Sequence, residues 1–335
     1  MDKLVKAEIL WSRKCSLKCS YCKMATGETV VKDINRWRKA VDELLRFDCR
    51  FMPIYGAEPF DDFNLLPEFI NYLKENKVYN TIITSGISVD FDKKLKLLVD
   101  AGLESMSTSY DVDGNDKYSK AKGNKAFETL KKFKTMGGNQ VKDLAVIMTI
   151  TKLNYKRIPE VVKENSKKGI WTLFDMIHKD RNQAGSKTNI VDFNLLFAEE
   201  DLEPLKEILK QLLKLKQQNY LLHTSESFLN YLIQHIDIVY KLNWNCGFQS
   251  DFPAWLTINY DLEVFPCDDF QPDVKNKIYA DNLYDNWYQF KRIWKSLVIK
   301  DCPGCCWNTH IDAHLIKQDK VSFSDYVHYR DKDDE

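Results

Sequence analysis

The chain has 335 residues, 44% of them hydrophobic, which suffices for one large domain and a smaller one with buried cores and excludes a disordered chain. Forty-nine Lys and Arg balance forty-nine Asp and Glu, so no overall field draws the protein to nucleic acid or to anionic lipid, and neither is an expected partner. The N-terminus lacks a signal-peptide core and no apolar run reaches the length of about 18 residues that a membrane span needs, so a cytoplasmic protein is expected.

In chain order, short apolar and β-branched runs alternate with longer stretches of helical period, the pattern of βα units around a parallel sheet. Strands are predicted at 7–11, 51–55, 80–84, 105–109, 144–150 and 172–177. Helices are predicted between them at 34–47, 65–77, 92–101, 125–136 and 155–168. Six such steps imply an α/β fold with a partial (βα)6, TIM-like barrel over residues 1–190, with chemistry at the carboxyl ends of the strands. Two amphipathic helices at 199–218 and 225–242 form a helical bridge over 191–243. From 255 to 270 the residues alternate apolar and polar about Tyr260-Asp261, which reads as a β-hairpin. A short helix at 285–297 and the stretch DCPGCCWNTHID complete a C-terminal module over 244–320, and 321–335 is a tail.

Nine cysteines in a cytosolic chain point to metal binding or catalysis, because reducing compartments keep thiols free. Cys15, Cys19 and Cys22 follow the first predicted strand with CxxxCxxC spacing. Three thiolates can hold three corners of a 4Fe-4S cluster and leave one iron open to a chelating ligand. Zinc or a redox thiol pair is the alternative, but in the first sixty residues the other Cys is Cys49, at a helix end. Cys246, Cys267, Cys302 and Cys305 bracket the hairpin and the short helix, which suits either a second cluster or a four-cysteine zinc site. Cys306 adjoins Cys305, and either thiol can be the ligand. His310 and His314 have i, i+4 spacing but no third ligand in the sequence.

On the CxxxCxxC motif, with the aromatic Tyr21 before its last Cys, the chain resembles the radical S-adenosylmethionine superfamily. The resemblance implies that Tyr21 approaches the adenine of S-adenosylmethionine. Tyr55-Gly56-Ala57-Glu58-Pro59 is similar to the family's GGEP segment, with Ala57 in place of the second Gly. Gly56 and Ala57 then let the backbone approach the cofactor, and Glu58 receives the methionine ammonium. Ser85, in Thr84-Ser85-Gly86, and Ser109, in Ser109-Tyr110-Asp111, match further cofactor-binding strand ends, and Lys120 or Lys122 supplies the expected downstream cation.

The C-terminal cysteines resemble a twitch, or shortened SPASM, region, which implies an auxiliary 4Fe-4S cluster rather than zinc. The reaction implied is reductive cleavage of S-adenosylmethionine to a 5′-deoxyadenosyl radical that takes hydrogen from a substrate C–H, most simply in a two-electron oxidation assisted by the auxiliary cluster. The reductant is a reduced flavodoxin or ferredoxin, and the substrate a small molecule or a peptide. With fourteen residues before Cys15, no N-terminal leader-binding domain is expected. Epimerisation, with Cys306 returning the hydrogen atom, is one alternative. Peptide or RNA modification and a non-catalytic electron-transfer role are the others.

Overall fold

A computed structural model describes residues 3–19, 22, 24–111, 117–177, 193–240, 254–266, 274–301, 311 and 315. Among the described residues eight strands make one sheet in the order β6-β5-β4-β3-β2-β1-β7-β8, parallel throughout except for the final β7–β8 pair. The strands are β1 (Lys6–Leu10), β2 (Phe51–Tyr55), β3 (Tyr79–Thr84), β4 (Ser105–Ser109), β5 (Asp143–Ile150), β6 (Trp171–Met176), β7 (Trp255–Ile258) and β8 (Val264–Phe265). Helices α1 (Ile34–Leu45), α2 (Leu66–Glu75), α3 (Phe91–Asp100), α4 (Lys117–Gly137) and α5 (Ile158–Lys167) alternate with β1 to β6, as the periodicity requires. Then follow α6 (Leu202–Gln217), α7 (Glu226–Tyr240) and, after the hairpin, α8 (Trp287–Asp301).

Local chemistry sets the helix ends. The Asp33 carboxylate accepts from the Asn35 N–H at 3.0 Å to cap α1, and Pro stands in the first turn of α2 and of α5, where its missing N–H costs nothing. The structure starts α4 eight residues before the sequence expectation of 125, running through Gly123. That glycine is a point of close approach: a Cβ there would lie 3.3 Å from the Asp111 carbonyl oxygen.

Alternation along each strand divides the sheet into two faces. Outward side chains such as Ala7, Ile9, Met52, Ile54, Ile82 and Met106 pack beneath α1 to α3 in one core, and β5 and β6 pack with α5 to α7 in a second. The expected hairpin is present, but β7 also pairs with β1 over four residues in parallel register, Lys6 with Trp255 through Ile9 with Ile258. The hairpin is thereby built into the main sheet. Its Leu256, Ile258 and Val264, with Phe290 of α8, belong to the same core as α1 and α2. The inward face is more polar and carries Lys6, Glu8, Thr81, Ser105, Ser107, Ser109 and Thr149.

Candidate functional site

The loop after β1 is held by backbone bonds from the end of β2. Ala57 N–H donates to the Ser12 carbonyl at 3.0 Å and Glu58 N–H to that of Lys14 at 3.1 Å. This contact requires glycine at 56, because a Cβ there would stand 2.4 Å from the Ser12 oxygen. Two carboxylates extend the stitching: Asp61 accepts from Ser16 N–H at 2.8 Å and Asp62 from Val30 N–H at 2.7 Å. Beneath the loop, Trp11 is wholly buried against Trp37 and Phe69, with its indole N–H on the Asp62 carbonyl.

A loop fixed in this way carries Cys15, Cys19 and Cys22 to the lining of a cavity of about 180 Å³ at the carboxyl ends of the strands. Also lining it are Gly56 and Ala57 just after β2, Ile83 of β3 with Ser85 just after it, Ser109 of β4 with Asp111 just after it, and Ile147 and Thr149 of β5. Cys15 and Cys19 are half-buried and Cys22 is exposed. Burial pushes the Cys15 thiol up to about 12 against the Leu17 N–H that it accepts, and the nearby Glu58 and Asp61 add to the rise. An iron bound at Cys15 must therefore displace a proton. Among the described residues no three His, Cys, Asp or Glu side chains gather closely enough for a single ion. Three soft donors lining one cavity supply the thiolates that three corners of a 4Fe-4S cluster take.

Glu58 stands apart from the other expected residues, because it is wholly buried and is not part of the cavity wall. One carboxylate oxygen accepts from the Thr84 hydroxyl at 2.7 Å and Phe60 N–H at 3.2 Å, the other from Ser85 N–H at 2.8 Å and from the Ser85 hydroxyl. Burial nonetheless outweighs these donors and raises its pKa above the usual carboxylate range. Glu58 thus braces the end of β3, and the cavity meets the braced Ser85.

Of the two candidate cations, Lys122 reaches the cavity and Lys120 is exposed and outside it. The Lys122 ammonium sits 2.8 Å from the Asp111 carboxylate, and both side chains are more than nine-tenths buried. The sequence reading missed Ile83, Ile147 and Thr149, for which the available signal was inward alternation near a strand end. Tyr21, Cys246, Cys267, Cys302, Cys305, Cys306, His310 and His314 lie outside the described residues.

The family profile described as "Radical SAM superfamily" matches residues 9–164. A GTP 3′,8-cyclase of Chlorobaculum tepidum is 27% identical over 120 residues, covering 35% of this chain and 36% of the relative. A PqqA peptide cyclase of Granulibacter bethesdensis is 30% identical over 107 residues, covering 30% of this chain and 28% of the relative. The matched stretches thus span about a third of the curated relatives' lengths. Streptococcus suis SuiB, solved with S-adenosylmethionine bound, superposes with a TM-score of 0.66 at 17% identity over 99% of this chain and 77% of its own, and shares the fold. The same protein has been solved with its precursor peptide SuiA.

Proposed function

Residues 9–164 being a radical SAM domain, we propose that this enzyme oxidises a peptide substrate by two electrons after hydrogen abstraction at a C–H bond. The observation that carries the proposal is the shared cavity, where three cysteines with family spacing face Gly56, Ala57, Ser85, Ser109 and Lys122. When bound, a 4Fe-4S cluster would supply one electron, drawn from the external reductant, for splitting the sulfonium of S-adenosylmethionine into methionine and the 5′-deoxyadenosyl radical. Cys15, Cys19 and Cys22 are its proposed ligands, and the loop bonds to Ala57 and Glu58 fix them relative to the strand ends. Lys122, aligned by Asp111, meets the methionine carboxylate; Gly56 and Ala57 allow close backbone approach; Ser85 and Ser109 supply hydroxyls; Glu58 acts through Ser85. Tyr21 is assigned to the adenine side.

A peptide substrate is favoured by the PqqA peptide cyclase relative and by the peptide-bound SuiB. We assign Cys246, Cys267, Cys302 and Cys305 to an auxiliary 4Fe-4S cluster that accepts the second electron, with a flavodoxin- or ferredoxin-type protein as reductant. In this assignment Cys306 is a spare thiol, and it becomes the catalytic hydrogen donor in the epimerase reading.

Anaerobic reconstitution tests the proposal. The protein should take up about eight irons, four for each of two cubanes, and release 5′-deoxyadenosine when reduced with S-adenosylmethionine. Replacing Cys15, Cys19 and Cys22 together by Ala should remove about half the iron and all cleavage. A preparation that holds one zinc and no iron refutes it.

A further inference from the structure

The cysteine loop meets a carboxylate at the residue that follows its first thiol. Pro59–Asp61 is a single 3-10 turn capped by Glu58. At its end Asp61, half-buried, accepts from the Ser16 N–H at 2.8 Å through one carboxylate oxygen and from the Ser88 hydroxyl at 2.7 Å through the other. Ser88 belongs to the loop after β3, the same loop whose Ser85 is braced by Glu58. The Lys94 ammonium of α3 completes the group, 2.6 Å from the Phe60 carbonyl oxygen and 3.2 Å from the Ser88 hydroxyl.

The two N–H groups that follow Cys15 are thereby sent in different directions. Leu17 N–H points back to the Cys15 sulfur at 3.3 Å, whereas Ser16 N–H is held by Asp61. The reduction potential of a thiolate-bound cluster depends on the hydrogen bonds that its sulfurs accept and on the charge around it. An N–H given to sulfur stabilises the reduced, more negative state, and a nearby anion destabilises it. Asp61 acts in one sense on both counts: it engages a donor adjacent to a ligand, and it sets a negative charge beside that ligand's backbone. A neutral amide could hold the Ser16 N–H as well, so charge is what only the carboxylate adds. Lys94 offsets part of that charge through Ser88, while the loop's own Lys14 and Lys18 are exposed to water, where their fields are weak.

We propose that Asp61 is a positioning residue that lowers the reduction potential of the cluster held by Cys15, Cys19 and Cys22, with Lys94 as the counterweight that limits the effect. This deepens the radical reading and rests on its ligand assignment. A lower potential makes delivery of one electron to the sulfonium more favourable and its uptake from a flavodoxin- or ferredoxin-type reductant less so. Carboxylate and ammonium together therefore set where the centre stands between donor and acceptor.

Redox titration of the anaerobically reconstituted full chain, followed by electron paramagnetic resonance, tests this on the signal that disappears when Cys15, Cys19 and Cys22 are replaced together by Ala. Asp61→Asn keeps an acceptor for the Ser16 N–H and removes the charge. It should raise the midpoint by the equivalent of about tenfold in the reduction equilibrium, about 59 mV for one electron. Lys94→Met removes the counterweight and should shift the same equilibrium about threefold in the opposite direction, with iron content unchanged in both variants. A merely structural fastening does not give opposite signs, because loosening the loop moves both variants the same way or neither. Should Asp61→Asn fail to fold or to take up iron, Lys94→Met carries the test alone, and a midpoint that is unchanged or rises in it overturns the proposal. A midpoint that is unchanged or falls in a loaded Asp61→Asn does the same. A wild-type chain that takes up no iron fails differently, since it removes the cluster reading on which the role of Asp61 rests.

Discussion

Replacing Glu58 by Gln separates a bracing role from direct contact with the cofactor. The carboxylate takes four donors, two of them the backbone N–H groups of Phe60 and Ser85, on different oxygens. A glutamine conserves the volume but must turn its NH₂ towards one of those N–H groups. Hydroxyls on Thr84 and Ser85 can rotate away, whereas a backbone N–H cannot. The variant therefore leaves a buried donor unsatisfied, at about 1–3 kcal/mol, and loses charge-assisted bonds, while it gains the desolvation that now raises the Glu58 pKa. A net loss of about 2 kcal/mol is expected, read as a lower midpoint in urea unfolding of the cluster-free protein. Affinity for S-adenosylmethionine, measured by calorimetry on reconstituted protein, should fall with it by roughly three- to tenfold as Ser85 loosens. Because the folded pKa lies above the ordinary 4.5, the folded state binds more protons than the unfolded one above that pH. Wild type thus gives up stability as pH rises through the window above 4.5, and the Gln variant does not. Abolished binding with an unchanged unfolding midpoint would refute the reasoning, since it would put the carboxylate in direct contact with the ligand.

Lys122→Met should weaken S-adenosylmethionine binding by about one to two decades, the worth of one charge-assisted hydrogen bond, with Lys120→Met near wild type in the same calorimetry. Equal effects would dissolve the distinction drawn from the cavity. His223 is held neutral, its pKa lowered to about 3 by burial and then by the Lys216 and Lys6 charges. The unfolded state alone takes that proton as pH falls below 6.5, so wild type should lose up to about 3 kcal/mol by pH 4.5 and His223→Asn much less; superimposable acid-unfolding curves would contradict this. Cys306→Ser should leave product formation intact if the reaction is an oxidation, whereas solvent deuterium in a stereo-inverted product, lost in that variant, would make it an epimerisation.

The parallel βα core was legible because its signals are local. Each of β1 to β6 is a short run of strand-forming residues whose neighbours are the next elements in sequence, and the observed bounds either coincide with the expected ones or differ by one residue. The pairing of β7 with β1 was not legible. Lys6 and Trp255 lie far apart in sequence, and alternation along the hairpin reveals its buried face but not the strand beside it. The start of α4 was obscured for another reason: Gly123 and Asn124 read as a break, and it takes the folded chain to reveal that Gly123 accommodates the Asp111 carbonyl.

That same glycine decides what the sequence could say about the site. A helix beginning at 125 would leave Lys120 and Lys122 equivalent in a loop. With α4 running through Gly123, Lys122 meets Asp111 and the cavity, while Lys120 points to solvent. Glu58 follows a similar logic. In YGAEP it is a lone acid beside a glycine turn, and such an acid reads as a ligand. The hydrogen bonds it accepts from Thr84 and Ser85 come from the end of the next strand, so the parallel pairing of β2 with β3 brings these partners to it. Motif spacing singles out the proposed metal ligands because they come from one loop, whereas the residues that shape the cavity are specified by register between strands, which the order of the sequence does not display.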